Sequence, residues 1–185
     1  MRLFIAMKFP SEVLRDLNDR VAAYRSRLPR GSWVKPESQH VTLAFLGDQS
    51  ESKISIITAE LQERLPTIQS FEGHLEGCGF FPNARHAKVG WIGLQPEGRY
   101  LEAATVVRGA VAAAGIQLDG SEFKPHLTLI RIRDRWPPAS IELFGRALRD
   151  FISQPFLNDS VTLYSSHLHP AGAIHEALEE FRLGG

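Results

Sequence analysis

The sequence predicts an α+β fold with antiparallel sheets, and three observations carry that expectation. Strand-like and helix-like segments mix without the regular strand–helix–strand alternation of a parallel α/β protein. Two pairs of strand-like segments are separated only by short turn signals, the mark of antiparallel neighbours. Finally, 185 residues at 43% hydrophobic content suffice for one domain spanning 1–185, with a full core or two small lobes sharing a cleft.

Taken in order, Arg2 to Phe9 alternates loosely and is rich in β-formers, so it reads as a strand. Pro10-Ser11-Glu12 signals a helix start with Ser11 as N-cap, and Val13, Leu14, Leu17, Val21 and Tyr24 recur at helical spacing until Pro29-Arg30-Gly31. Trp33 to Pro36 is extended, and His40 to Leu46 reads as a strand stopped by Gly47-Asp48. A second helix is expected from Lys53 to Leu65, ended by Pro66. Phe71 to Phe81 and Lys88 to Leu94 read as strands around a Pro82-Asn83 turn. Gly98 to Ala114 is a predicted helix with Leu101, Ala104, Val107, Val111 and Ala114 on one side, and Gly115 is a natural stop. His126 to Ile132 is another strand. Pro137-Pro138 then opens a helix carrying Leu143, Phe144, Ala147, Leu148 and Phe151. Val161 to Leu168 and Ile174 to Leu183 close as an antiparallel pair around His169-Pro170-Ala171-Gly172.

The 21 basic and 21 acidic side chains cancel, so a polyanionic partner must be gripped by a local basic cluster rather than by a general field. That argues against a protein that coats long nucleic acid and suits one that holds a chain end. Cys78 is the only cysteine, which excludes an internal disulfide and fits a reducing compartment. Between Gly77 and Gly79 it reads as a small packing residue rather than a nucleophile. The apolar run at the N-terminus is too short for a signal segment and Lys8 interrupts it; no stretch approaches the roughly 18 apolar residues of a membrane span. A cytoplasmic monomer with no membrane partner is expected. Gly77-x-Gly79 lacks a third glycine, so nucleotide-cofactor readings are weak and no cofactor is expected.

The informative feature is a repeat. Lys35-Pro36-Glu37-Ser38-Gln39-His40-Val41-Thr42-Leu43 resembles Lys124-Pro125-His126-Leu127-Thr128-Leu129, with His-x-Thr-Leu as the shared core. Shuffling this composition gives roughly 0.03 copies of that core per chain, so two copies are hard to assign to chance. Strand alternation puts His40 and Thr42 on one face and Val41 and Leu43 on the other. His126 and Thr128 stand against Leu127 and Leu129 in the same way. Strict alternation points Phe45 and Arg131 away from those faces, and only a bulge or twist brings them to the rim. Phe45 is accordingly expected in the core.

One His-x-Thr on a strand is ordinary structure, the ring bonded to a carbonyl and the threonine a β-former. The second copy turns the reading toward chemistry. If a pseudo-two-fold relates the halves, the two pairs face each other across a cleft. Opening a phosphodiester needs water deprotonated on one side of phosphorus and the leaving oxygen protonated on the other. Two imidazoles perform both tasks without a metal, at about 10²–10⁴-fold each. The threonine hydroxyls would hold the non-bridging oxygens. A bell-shaped pH–rate profile with both limbs near neutrality is expected on this basis.

These residues resemble the 2H phosphoesterases, and within them the bacterial and archaeal RNA 2′,3′-cyclic phosphodiesterases, also called 2′-5′ RNA ligases. Arg2-Leu3-Phe4-Ile5-Ala6, Trp33-Val34-Lys35-Pro36, His40 through Gly47, Phe80-Phe81-Pro82-Asn83, Phe123 through Leu129 with Arg131, and Tyr164 through Leu168 all look like that family, in order along nearly the whole chain. The resemblance implies a bilobal α+β fold, a pseudo-two-fold pair of antiparallel sheets flanked by helices around a central cleft. It implies metal-independent hydrolysis of RNA 2′,3′-cyclic phosphate ends to 2′-phosphates, on RNA 3′ ends or small cyclic nucleotides. By motif, His40 would be the proton donor, His126 the proton acceptor, and Thr42 and Thr128 phosphate ligands, with Arg131 and Phe45 as further substrate-binding candidates. The assignment of donor and acceptor rests on the resemblance alone. One departure is His175, where family members often carry a tyrosine.

Other candidates are weaker. Arg131, Arg133 and Arg135 would share one strand face and contact RNA phosphates, or simply solvate an edge. Trp33, Trp91 and Trp136 could stack bases if exposed; Trp91 reads as core, and Trp33 beside the first motif is the better candidate, although packing is the favoured reading. His167-x-His169, with His175 across the presumed hairpin, has a spacing a metal might use, although turn histidines explain it more simply. His74 and His86 have no partner pattern. Competing functions are a 2′-5′ ligase acting on the same ends, a non-catalytic RNA-end-binding module, and a metal-dependent hydrolase using His40, His126 and Glu122.

Overall fold

A computed structural model describes residues 1–120, 122–169 and 172–185. The turn expected at Pro170-Ala171 lies outside the described residues. In chain order the elements are β1 (Arg2–Met7), α1 (Ser11–Arg25), β2 (Ser32–Trp33), β3 (Val41–Asp48), α2 (Glu51–Arg64), β4 (Phe71–Phe81) and β5 (Val89–Gln95). Then follow α3 (Glu97–Ala113), β6 (His126–Arg131), α4 (Pro138–Leu148), β7 (Phe156–Asn158), β8 (Ser160–His169) and β9 (Gly172–Arg182). The class is α+β, with two antiparallel sheets ordered β3-β1-β8-β9 and β2-β6-β5-β4-β7.

The sheets are not the two halves of the chain. β1 pairs with β3 on one side and with β8 on the other, so the first sheet joins strands from both ends of the sequence, while the second takes β2 and the strands from β4 to β7. Each His-x-Thr strand has an antiparallel neighbour in its own sheet, β1 beside β3 and β5 beside β6.

Side-chain period explains which faces are buried. Along β1, Leu3, Ile5 and Met7 enter the main core, while Phe4 and Ala6 join Tyr164 in a small separate cluster on the opposite face. The main core takes Leu127 and Leu129 from β6, Ile92 and Leu94 from β5, and Val107 and Val111 from α3. On α3 the buried stripe runs through Tyr100, Ala103, Ala104, Val107, Ala110 and Val111. Leu101, expected on that stripe, is exposed, because one residue beyond Tyr100 is about 100° further round the helix. Gly115 does end α3, at φ +74°.

Two further expectations are corrected. The first helix begins at Ser11 with Pro10 as its cap residue, and the Ser11 hydroxyl donates to the Glu12 carboxylate rather than capping backbone. β6 ends at Arg131, so Arg133 and Arg135 follow the strand instead of sharing its face. The short strand β7, paired to β4 through Phe71–Gly73, had no signal of its own. Among the described residues no helix is long and apolar enough to cross a membrane.

Candidate active site

His40 stands one residue ahead of β3 and His126 opens β6; both rings are half-buried, as are Thr42 and Thr128. The leucine that ends each His-x-Thr-Leu core is a β-bulge residue. On β3, Ala6 pairs Thr42 and Ile5 pairs Ala44, leaving Leu43 extra; on β6, Trp91 pairs Thr128 and Gly90 pairs Ile130, leaving Leu129 extra. Leu43 and Ala44 are therefore both buried, as are Leu129 and Ile130. Two consecutive inward residues shift the strand's phase by one. The fifth residue after each histidine then returns to the His-Thr face, Phe45 in one copy and Arg131 in the other.

This overturns the expectation that Phe45 is core. It is 66% exposed, with its ring 6.3 Å from Phe4, which itself stacks on His40. Arg131 is also exposed, and its charge bears on both His40 and His126.

Each imidazole bonds a backbone carbonyl close by in the chain. The His126 Nδ1–H donates to the Lys124 carbonyl at 2.7 Å, and the His40 ring hydrogen-bonds the Ser38 carbonyl, each two residues upstream. The bond fixes the His126 tautomer and leaves Nε2 as the atom that can exchange a proton. Each ring also packs on aromatic side chains. His40 stacks on Phe4 at 4.9 Å, and Phe4 on Tyr164 at 5.0 Å. His126 lies nearly perpendicular to Phe81 at 4.8 Å and is 6.3 Å from Trp91. A lysine caps each aromatic group, Lys8 over Tyr164 at 5.4 Å and Lys124 over Trp91 at 4.7 Å.

Trp91 is buried but lies outside the main core, so it belongs to the site's surroundings. Its indole rests on Gly79, where an added Cβ would come within 2.5 Å of the ring. Trp33 sits at the edge of the core under the Arg25 guanidinium, and Trp136 is core.

Burial pushes His40 down to about 4; the neighbouring His175 lowers it further, the Ser38 carbonyl opposes, and Arg131 and His126 add to the fall. Burial also lowers His126, opposed by its bond to Lys124, with the Arg131 and Lys124 charges acting downward. Burial thus disfavours the charged form of both rings, and of His40 the more strongly.

His175 is the site residue that the sequence did not assign. Its ring is 5.5 Å from His40 and 4.9 Å from Phe4, roughly perpendicular to both. Register explains the placement: His175 pairs Ser166 whereas His167 pairs Ile174, so His175 and His167 project from opposite faces. His167 instead meets Ser165 and Glu176, and the side chain of His169 lies outside the described residues. His74 pairs with Glu76, His86 follows an Asn83-capped turn, and Glu122 is exposed in the loop before β6. Among the described residues no three His, Cys, Asp or Glu side chains gather as metal ligands. Cys78 is half-buried, with burial raising its thiol.

Residues 8–91 match the family described as LigT like phosphoesterase. The RNA 2′,3′-cyclic phosphodiesterase of Archaeoglobus fulgidus is 34% identical over 98% of this chain and 99% of its own. That of Aquifex aeolicus is 31% identical over 100% and 98%. Among solved structures, TT0787 of Thermus thermophilus superposes with a TM-score of 0.77 at 29% identity, covering 100% of this chain and 99% of that one. E. coli LigT, in a complex with 3′-AMP, shares the fold with a TM-score of 0.72 at 23% identity over 98% and 97%.

Proposed function

Because the chain belongs to the RNA 2′,3′-cyclic phosphodiesterase family of LigT-like phosphoesterases, we propose that it hydrolyses RNA 2′,3′-cyclic phosphate ends to 2′-phosphates by paired imidazoles. The observation that carries the reading is the duplicated bulged strand. The bulges keep His40, Thr42 and Phe45 on one face of β3, and His126, Thr128 and Arg131 on one face of β6, and the Arg131 charge bears on both His40 and His126.

In the reaction, His126 takes a proton from water through Nε2 as the oxygen attacks phosphorus. The bond from phosphorus to the 3′ oxygen breaks, and protonated His40 delivers its proton to that oxygen. The products are a 2′-phosphomonoester and a 3′-hydroxyl. Thr42 and Thr128 donate to the non-bridging oxygens, and Arg131 balances the charge that builds there. His126 as acceptor and His40 as donor follow the family motif, and the electrostatics are compatible with it. His40 is held low in the free protein, and the substrate's negative charge raises its proton affinity and so loads the donor.

The test incubates purified protein with an oligoribonucleotide ending in a 2′,3′-cyclic phosphate, in EDTA, and identifies the product isomer by ³¹P NMR. A 2′-phosphate is expected. A 3′-phosphate would reverse the leaving-group assignment, and dependence on added metal would remove the mechanism.

A further inference from the structure

The two motif histidines are similar in sequence but are not anchored alike. His126 is inside its strand, paired to Gly93. His40 precedes the first paired residue of β3, Val41, so the sheet ladder does not fix its backbone. Just before it lies Gln39, a polar side chain only 5% exposed.

Gln39 and Asn18 of α1 form a reciprocal amide pair. Asn18 Nδ2 donates to Gln39 Oε1 at 2.9 Å, and Gln39 Nε2 donates to Asn18 Oδ1 at 3.1 Å. The second hydrogen on each nitrogen is also used: Asn18 donates to the Leu14 carbonyl at 2.6 Å and Gln39 to the Val34 carbonyl at 3.3 Å. Val34 in turn donates its N–H to the Leu129 carbonyl at 2.9 Å, on the strand that carries His126 and Thr128. One buried amide thus links the His40 segment to α1 and, through Val34, to the bulge of the other motif.

We infer that Gln39 is a positioning residue: its amide network holds His40 at a set distance from the strand of the second motif. A buried amide with every donor satisfied is stiff and costly to disrupt, which suits a strut between two elements that no ladder joins. Gln39 does not touch substrate. It acts through His40, and the inference rests on the two-imidazole reading for its effect on rate, although not for its effect on the ring.

The test replaces Gln39 with methionine, which has similar length and no amide. Steady-state kinetics on the cyclic-phosphate oligonucleotide should show kcat reduced about 10–100-fold, the order expected when a reacting group is misplaced by a fraction of an ångström to one ångström. KM should change much less, by about threefold or under, because the phosphate ligands remain. Independently of turnover, histidine NMR should show the His40 midpoint rising from about 4 as the ring loosens into water. His175, Arg131 and His126, the charged or titratable groups that bear on His40, are intact in the variant. A movement of the midpoint therefore reports placement of the ring.

Asn18→Ala removes only the α1 arm and should shift both readouts in the same direction by less. It also stands in should Gln39→Met fail to fold. A folded variant with wild-type kcat and an unmoved His40 midpoint would reduce the network to plain structure. If the wild-type protein shows no turnover, the functional reading fails while the NMR readout still decides the strut.

Discussion

A histidine Cε1–H NMR titration of the free protein is expected to place the His40 midpoint at about 4, against an ordinary 6.5. At pH 7 roughly one such ring in a thousand is charged. The same displacement enters stability. Between 6.5 and 4 the unfolded chain binds a proton that the native cleft refuses, so this contribution is whole above 6.5 and is lost as pH falls toward 4. Integrated to pH 4, the loss is on the order of 3 kcal/mol. Urea unfolding at pH 7 and pH 4 should therefore show wild type losing about 3 kcal/mol more than a His40→Gln variant, which has no ring to protonate. A bound phosphate works in the opposite direction. One negative charge about 4 Å away, at an effective dielectric near 20, is worth about 4 kcal/mol. That is roughly a thousandfold in proton affinity, enough to bring the ring's midpoint back toward neutral pH. Saturation with a nucleoside 2′-monophosphate should raise the His40 midpoint accordingly. In kinetics, the titration of His40 seen in kcat/KM, which reports free protein, should lie near 4, and that seen in kcat, which reports the complex, should lie higher. A free-protein midpoint near 6.5, or one indifferent to the nucleotide, would refute the claim that burial and neighbouring positive charge govern this ring.

Arg131→Gln should lower kcat/KM by about 10–1,000-fold, the range for losing one charged stabiliser of a developing anion, and should raise the midpoints of both motif histidines by removing a charge that lowers them. Phe45→Ser should leave thermal stability within about 0.5 kcal/mol, as expected of a side chain 66% exposed, while raising KM if the ring holds substrate. Gly79→Val, whose Cβ would fall 2.5 Å from the Trp91 indole, should cost about 1–3 kcal/mol in denaturant unfolding and shift the His126 resonances, because Trp91 flanks that ring.

The site's two halves were legible because duplication is local: His40, Thr42, His126 and Thr128 could be read from matching strings and from the period of a strand. Phe45 was misread for the opposite reason. Whether a strand bulges depends on the partner it pairs with, and nothing within His40–Gly47 says that Ile5 and Ala6 will skip Leu43. His175 and Gln39 are more distant cases. One reaches His40 through the register of the last hairpin, the other through a helix 21 positions earlier in the chain. That burial sets His40 well below the ordinary histidine range could not be read from the sequence, because composition contains no measure of burial. The fold class needed only mixed elements and short turns, whereas the crossing of chain ends into one sheet is a long-range pairing with no local trace.

Single-turnover cleavage of a cyclic-phosphate oligonucleotide by His40→Ala, His126→Ala and the double variant asks whether the two rings serve one phosphorus atom. Each single variant should be slowed by about 10²–10⁴-fold, and the double should be little slower than the worse of the two, as groups acting as a unit behave. Near-wild-type rates in either single variant, or a double-variant loss equal to the product of the singles, would contradict the account.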